Sequence, residues 1–252
     1  MLRKYAMRIS VNKRWKLKTV AVCLAVVCVV AARVAMPGQS PSKQPPDPAL
    51  ATLGGGLISS TAVGHDVGGM VAYAFARLYP ETSRGVMLLE APVPGLDSWE
   101  EVKARWHIRF HQTPDLPEQL LAGREAIYIR HFLDDRNIFS DADVARYAKS
   151  YAAPEHLRAL LEMYRAIPAN EKFNAAQRST IGVPLVLAPG ENSPFERLMP
   201  RLAEDLRAHG CANVKLEIIK NSVHYVVNEQ PETVAELIQR YARQEVSQDA
   251  YV

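Results

Sequence analysis

From Leu50 onward the apolar positions follow two alternating periods. Short aliphatic runs at residues 57–63, 85–89, 183–188 and 215–219 each give way to turn residues and then to apolar positions three and four apart. The second pattern predicts helices over residues 69–79, 196–209 and 231–243. Strands rich in aliphatic residues that alternate with helices imply an α/β protein with a parallel sheet of about four strands. Between the second and third runs, residues 99–177 are helical in pattern throughout, broken or capped at Pro114, Pro117, Asp141 and Pro154. An all-helical insertion of that length in a parallel sheet reads as a cap. The core would then comprise residues 50–98 and 178–246.

Residues 37–49 are rich in Pro and Ser and carry little apolar content, which marks a linker. Ahead of it, seven Lys/Arg up to Lys18 precede the uncharged stretch TVAVCLAVVCVVAA, residues 19–32. A basic start, a short apolar run and Ala-rich ground read residues 1–36 as a secretory signal or an uncleaved membrane anchor, although fourteen apolar residues are few for a full span. Export or membrane anchoring is the corresponding expectation. The alternative is a misassigned start of the reading frame and a cytoplasmic protein.

Charge changes the picture once this head is set aside. The chain as a whole carries +3, but residues 1–48 hold nine Lys/Arg against Asp47 alone, leaving 21 basic and 26 acidic residues elsewhere. A mildly acidic globular part gives no support to a nucleic-acid partner. Cys23 and Cys28 fall inside the apolar stretch and only Cys211 remains, so no disulfide framework is implied. Composition, at 48% apolar and 23% charged, is that of an ordinary globular domain.

Candidate chemistry concentrates at TAVGHDVGGM, where the first strand ends in Gly64-His65-Asp66-Val67-Gly68 and a helical pattern begins at once. Strand, Gly-x-Asp-x-Gly, helix is the form of a nucleophile elbow. Gly64 and Gly68 must be small for strand and helix to approach, and the central side chain projects above the sheet. A helix N-terminus favours negative charge there and offers the Val67 N–H to an oxyanion. A plain helix-capping Asp would give the same local sequence. At the far end, His224 follows the last predicted strand and precedes the final helix, the position of a general base in such a sheet.

The segments GHDVGGMVAYAFA, LLEAPVPG, WHIRFHQTPDLPEQLLAGREAIYIRHFL and SVHYVVNEQPE together resemble the epoxide hydrolase and dehalogenase branch of the α/β-hydrolase superfamily, in the family's order, over about residues 57–243. The resemblance implies that Asp66 is the nucleophile and His224 the base. Most relatives carry the third member as Gly-x-x-Asp after the third of these strands, where this chain reads Gly190-Glu191-Asn192-Ser193. Others place it after the preceding strand, where this chain has Glu90. Glu90 is favoured, with Glu191 in reserve and a surface acid at a strand end as the plain alternative.

Epoxide hydrolases hold the ring oxygen with two cap tyrosines. Tyr164 matches the second of these, and the first falls on Trp106 or His107. Dehalogenases of this branch place Trp or Arg beside the nucleophile. Val67 and Met70 stand there instead and can hold neither a halide nor a carboxylate. A small apolar epoxide is thus the implied substrate, with a dehalogenase as the alternative. Trp106, His107, Tyr151 and Tyr164 also fit simple cap packing. No cofactor or metal is implied, since His107, His111 and His131 lack acids at ligand spacing.

Relatives carry four strands and a His-Gly-x-Pro oxyanion motif ahead of the elbow strand. Residues 1–56 show neither. The expectation is therefore half a sheet, with the first strand an exposed edge that invites dimerisation or a partner strand. Three readings follow: a hydrolase of reduced architecture, a non-catalytic remnant, and a membrane-anchored interaction module.

Overall fold

The computed structural model of the protein describes residues 60–80 and 83–248. The signal-or-anchor segment, the linker, the stretch expected to lack the upstream strands and the first residues of the first predicted strand lie outside these. Among the described residues, no helix is long and apolar enough to cross a membrane.

Four parallel strands form one sheet in the order β1 (Ser60–His65), β2 (Ser83–Leu89), β3 (Leu185–Ala188), β4 (Val214–Leu216). Helix α1 (Val67–Leu78) joins β1 to β2. After β2 come a 3-10 turn at Asp97–Trp99 and α2 (Glu100–Lys103), α3 (Trp106–Gln112), α4 (Leu116–Leu121), α5 (Glu125–Phe132), α6 (Asp141–Tyr151), α7 (Pro154–Arg165) and α8 (Ile167–Ala176). Helix α9 (Met199–Ala208) links β3 to β4, and α10 (Val226–Glu229) and α11 (Pro231–Gln248) close the chain.

Strand residues sort by parity, as a pleated ribbon requires. Val86, Leu88, Leu185 and Leu187 pack with Ala72, Tyr73 and Ala76 of α1 and with Met199, Leu202 and Leu206 of α9. Met87, Leu89, Val186 and Ala188 face the other way, onto Val234, Leu237 and Tyr241 of α11. Both faces of β2 and β3 are covered, hence their continuous apolar sequence. The register pairs His65 with Leu89 and Leu89 with Ala188. The residues that follow each strand therefore emerge side by side at one edge, Asp66 and Glu90 among them. Among the described residues, β1 pairs only with β2.

Three sequence expectations need adjustment. The strand predicted over 215–219 is only Val214–Leu216 in regular pairing, with Ile219 forming an isolated bridge to Gly190. It is an edge strand, with Leu216 and Ile218 each 40% exposed, and its Glu217 is turned to the Tyr241 hydroxyl at 2.7 Å. The helix predicted from 196 opens with a 3-10 turn over Glu196–Leu198 before α9, whose first turn accommodates Pro200 because its N–H would lack an acceptor there. The insertion does not separate cleanly at residue 99, since Trp99, Val102, Ile108 and Ile167 belong to the same buried cluster as the sheet residues.

Within the inserted helices the expected punctuation holds: Ser140 and Asp143 form a capping box at the start of α6, and Pro117 and Pro154 occupy first turns. Arg165 grips Glu118 with two hydrogen bonds of 2.8 and 2.9 Å and fastens α7 to α4.

Candidate active site

Asp66 sits between β1 and α1 with φ 52° and ψ −123°, a left-handed conformation unusual for a side chain of its kind. Its amide bonds the Leu89 carbonyl at 3.0 Å, which ties the bend to β2. A Cβ on Gly64 would come within 2.0 Å of the Gly68 carbonyl oxygen, and one on Gly69 within 2.2 Å of the Ala91 Cβ. Strand and helix thus approach as closely as backbone permits. The Val67 N–H heads α1 and has no acceptor one turn back.

His224 stands in the loop before α10, between two carboxylates. Its Nε2 is 3.2 Å from Asp66 Oδ2 and its Nδ1 is 3.1 Å from Glu90 Oε2. Glu90 is fully buried and itself has φ 51°. The Gly190 N–H donates to its Oε1 at 2.7 Å and the Ser193 hydroxyl to its Oε2 at 2.6 Å. Burial alone would lower the His224 pKa, but hydrogen bonds to Asp66 and Glu90 and their charges overcome it and raise it to about 10. For Asp66, desolvation pushes upward, and the hydrogen bond and charge of His224 prevail, holding the carboxyl down at about 2. The pair rests as imidazolium and carboxylate.

His65 supports this loop from below. A carbonyl can only accept, so its Nε2–H donates to the His224 carbonyl at 2.7 Å. Burial and the neighbouring His224 charge lower its pKa, which keeps it neutral for that task.

Above the bend stand residues of the inserted helices. The charge of Asp66 is felt at His107 of α3 and Tyr164 of α7, as well as at Tyr225. Burial lowers the His107 pKa, against the pull of Asp66. Burial and the Asp66 charge raise that of Tyr164, so its hydroxyl stays protonated.

Residues 18–237 match the sequence profile of the alpha/beta hydrolase family. The chain belongs to that family. The matched span begins inside the stretch read above as a leader. The chain is 28% identical over 190 residues to AB hydrolase superfamily protein YfhM of Bacillus subtilis, covering 72% of this chain and 65% of that protein. It is also 28% identical over 185 residues to the soluble epoxide hydrolase of a Corynebacterium species, covering 68% and 63%. Among solved structures, Cfl2 of Burkholderia cenocepacia is similar at 30% identity and a TM-score of 0.62, over 73% of this chain and 66% of that one. The chain spans less than two thirds of the length of the two curated relatives. These similarities run to the epoxide hydrolase-like branch that the four motifs suggested.

Asp66, His224 and Glu90 come together, with Val67 adjoining. Glu191, the reserve acid, is drawn away from His224 to Lys220 at 2.6 Å, outside the cluster. Of the two residues in the first cap position, His107 is the one near Asp66. Trp106 is 53% exposed and stacks on Phe132 at 6.0 Å. Tyr151 lines a crevice with Leu121, Tyr128, Leu157 and Leu160, beside Tyr164. Among the described residues, no group of His, Cys, Asp or Glu could hold a metal ion. Sequence reasoning missed Ser193, His65 and the Gly69–Ala91 contact. The first carried a visible signal: Ser193 is the very position at which relatives were expected to carry the acid.

Proposed function

We propose that this alpha/beta hydrolase opens epoxides through a covalent ester on Asp66. The observation that carries the proposal is the unbroken chain Asp66 Oδ2, His224, Glu90 Oε2 on a left-handed bend at the carboxyl edge of the sheet. The similarity to a soluble epoxide hydrolase supports it. Asp66, the carboxylate held ionised, attacks a ring carbon, and the C–O bond of the ring breaks. The ring oxygen gains a proton from the Tyr164 hydroxyl, with His107 donating a hydrogen bond beside it. Neither group has a hydrogen-bond partner among the described residues that would compete.

Forming the ester removes the Asp66 charge. Two of the contributions that held a proton on His224 vanish with it, and burial then favours the neutral imidazole. His224 thereby becomes a base only after alkylation, and it takes a proton from the water that attacks the ester carbonyl. The Val67 N–H meets the oxyanion, and collapse releases a diol and regenerates Asp66. Glu90 holds the imidazole by Nδ1 throughout. Proton balance closes when the resting imidazolium proton of His224 passes to the Tyr164 phenolate left by ring opening, and the proton then taken from water stays on His224 and restores the imidazolium–carboxylate pair. Val67 and Met70 offer no halide grip, which disfavours dehalogenation.

The deciding experiment is mass spectrometry of the His224→Gln protein after incubation with an epoxide such as styrene oxide. An adduct on Asp66 that persists in the variant and turns over in the parent is the expected result. General-base removal slows such a step by about 10²–10⁴-fold. Absence of an adduct on both proteins would refute the proposal.

A further inference from the structure

Among the described residues β4 closes the edge of the sheet opposite β1 and pairs only with β3. The N–H groups of Glu217 and Ile219 donate to the Leu187 and Pro189 carbonyls at 2.9 Å, and the Asn213 carbonyl accepts from the Leu185 N–H at 2.8 Å. Odd-numbered residues thus spend their backbone groups on the β3 side, and Leu216 and Ile218 turn theirs to the open side. Those two side chains are also exposed, so the edge offers unpaired backbone and apolar surface together. The other face of the strand carries Lys215 and Glu217. Lys215 has its Nζ 5.2 Å from the centre of the Tyr241 ring and no carboxylate partner among the described residues. Glu217 accepts from the Tyr241 hydroxyl at 2.7 Å and from Arg240 at 3.2 Å.

Lysine on an open edge ordinarily deters pairing. Here an acid stands two residues further on, and the order of the two charges makes the strand complementary to itself when a second copy runs antiparallel. Charge also selects the register. A two-fold axis at Lys215 or at Glu217 would set that residue against its own copy, like charge to like charge. An axis at Val214 or Ile218 would leave both charges facing neutral residues. An axis at Leu216 sets Lys215 against Glu217 of the second copy, twice over, and matches the outward backbone of Leu216 with itself and that of Val214 with Ile218. We propose that β4 pairs antiparallel with β4 of a second copy about a two-fold axis at Leu216, joining two sheets edge to edge in an isologous dimer. Leu216 and Ile218 lose exposure on one face, and two Lys–Glu pairs close the other. This pairing does not depend on the chemistry at Asp66.

Sedimentation velocity of the full chain should show a reversible dimer in the micromolar range. Lys215→Glu and Glu217→Lys each place like charges opposite one another twice, and each should weaken self-association by about tenfold or more. Mixed in equal amounts, the two variants regain opposite charges at both cross-strand positions, with the acids on one chain and the bases on the other. They should form a heterodimer about as tight as the parent dimer. A variant that has merely unfolded is not rescued in that way. As a second measurement, Leu216→Cys puts a thiol at the axis, where hydrogen-bonded residues of an antiparallel pair lie about 5.5 Å apart between Cα atoms, within disulfide reach. Mild oxidation should cross-link two full chains through that cysteine, which peptide mass spectrometry reads. A parent that stays monomeric, a dimer indifferent to both charge reversals, a mixture that associates no better than either variant alone, or a Leu216→Cys dimer that does not cross-link at residue 216 overturns the proposal.

Discussion

At the scale of single residues, the proposed site depends on how one carboxylate is presented. Glu90 Oε2 accepts from both Ser193 and His224, and Ser193 Oγ in turn accepts from the Phe195 N–H at 3.1 Å. With its acceptor capacity met by Phe195, the hydroxyl is oriented to donate to Glu90. Removing it frees one lone pair of a buried carboxylate and lets the group swing. Ser193→Ala is expected to slow ester hydrolysis about tenfold while the alkylation rate is unchanged, since Asp66 attacks without Glu90. Single-turnover measurements that follow the two phases separately check this, and an equal loss in both would point to general disruption. Asp66 and His224 were legible in the sequence because each has a local signature, a glycine-flanked bend and a position after the last strand. Glu90 was one of two choices. What decided it, Gly190 and Ser193 converging on the same carboxylate from about a hundred residues away, is a tertiary fact that no local pattern encodes.

At the scale of elements, the bend between β1 and α1 survives only because three small residues let backbone meet backbone. Gly64 faces the Gly68 carbonyl, a group that cannot move without breaking the first turn of α1. Gly64→Ala should therefore destabilise by about 3 kcal/mol or more, at the upper end of overpacking costs. Gly69 instead faces a methyl group, that of Ala91, just beyond β2. Gly69→Ala should cost about 1–3 kcal/mol, and adding Ala91→Gly should recover a substantial part by making room. Chemical-denaturant midpoints of the four proteins test this coupling, and additive losses would show that the two positions do not share a contact. Helices with caps and prolines were readable to within a few residues. The fourth strand was readable in place but not in length, because an edge strand can keep its β-branched sequence while solvent and its own side chains take over part of the pairing.

At the scale of the whole molecule, Asp66, Glu90 and His224 join the β1–α1 bend, the end of β2 and the loop before α10, and the ionisation of Asp66 and of His224 is coupled to folding. In the unfolded chain His224 would titrate near 6.5, while the folded protein raises it to about 10. The native state thus binds this proton more tightly. The stability it confers is complete below pH 6.5 and is lost progressively as pH rises through about 10. Asp66 works in the opposite sense: folded, it titrates near 2 against 3.8 unfolded, so its contribution is present above pH 3.8 and is lost as pH falls through about 2. Urea unfolding should accordingly show the parent losing stability between pH 7 and pH 10, and His224→Gln should flatten that limb. Asp66→Asn should flatten the acid limb and, by removing the partner that holds the His224 proton, weaken the alkaline one as well. Because each residue is the other's partner, the double variant should lose less than the two single losses added together. Additive losses with both limbs intact would mean that Asp66 and His224 do not form an ion pair in the resting protein, and that His224 is already a free base before any substrate arrives.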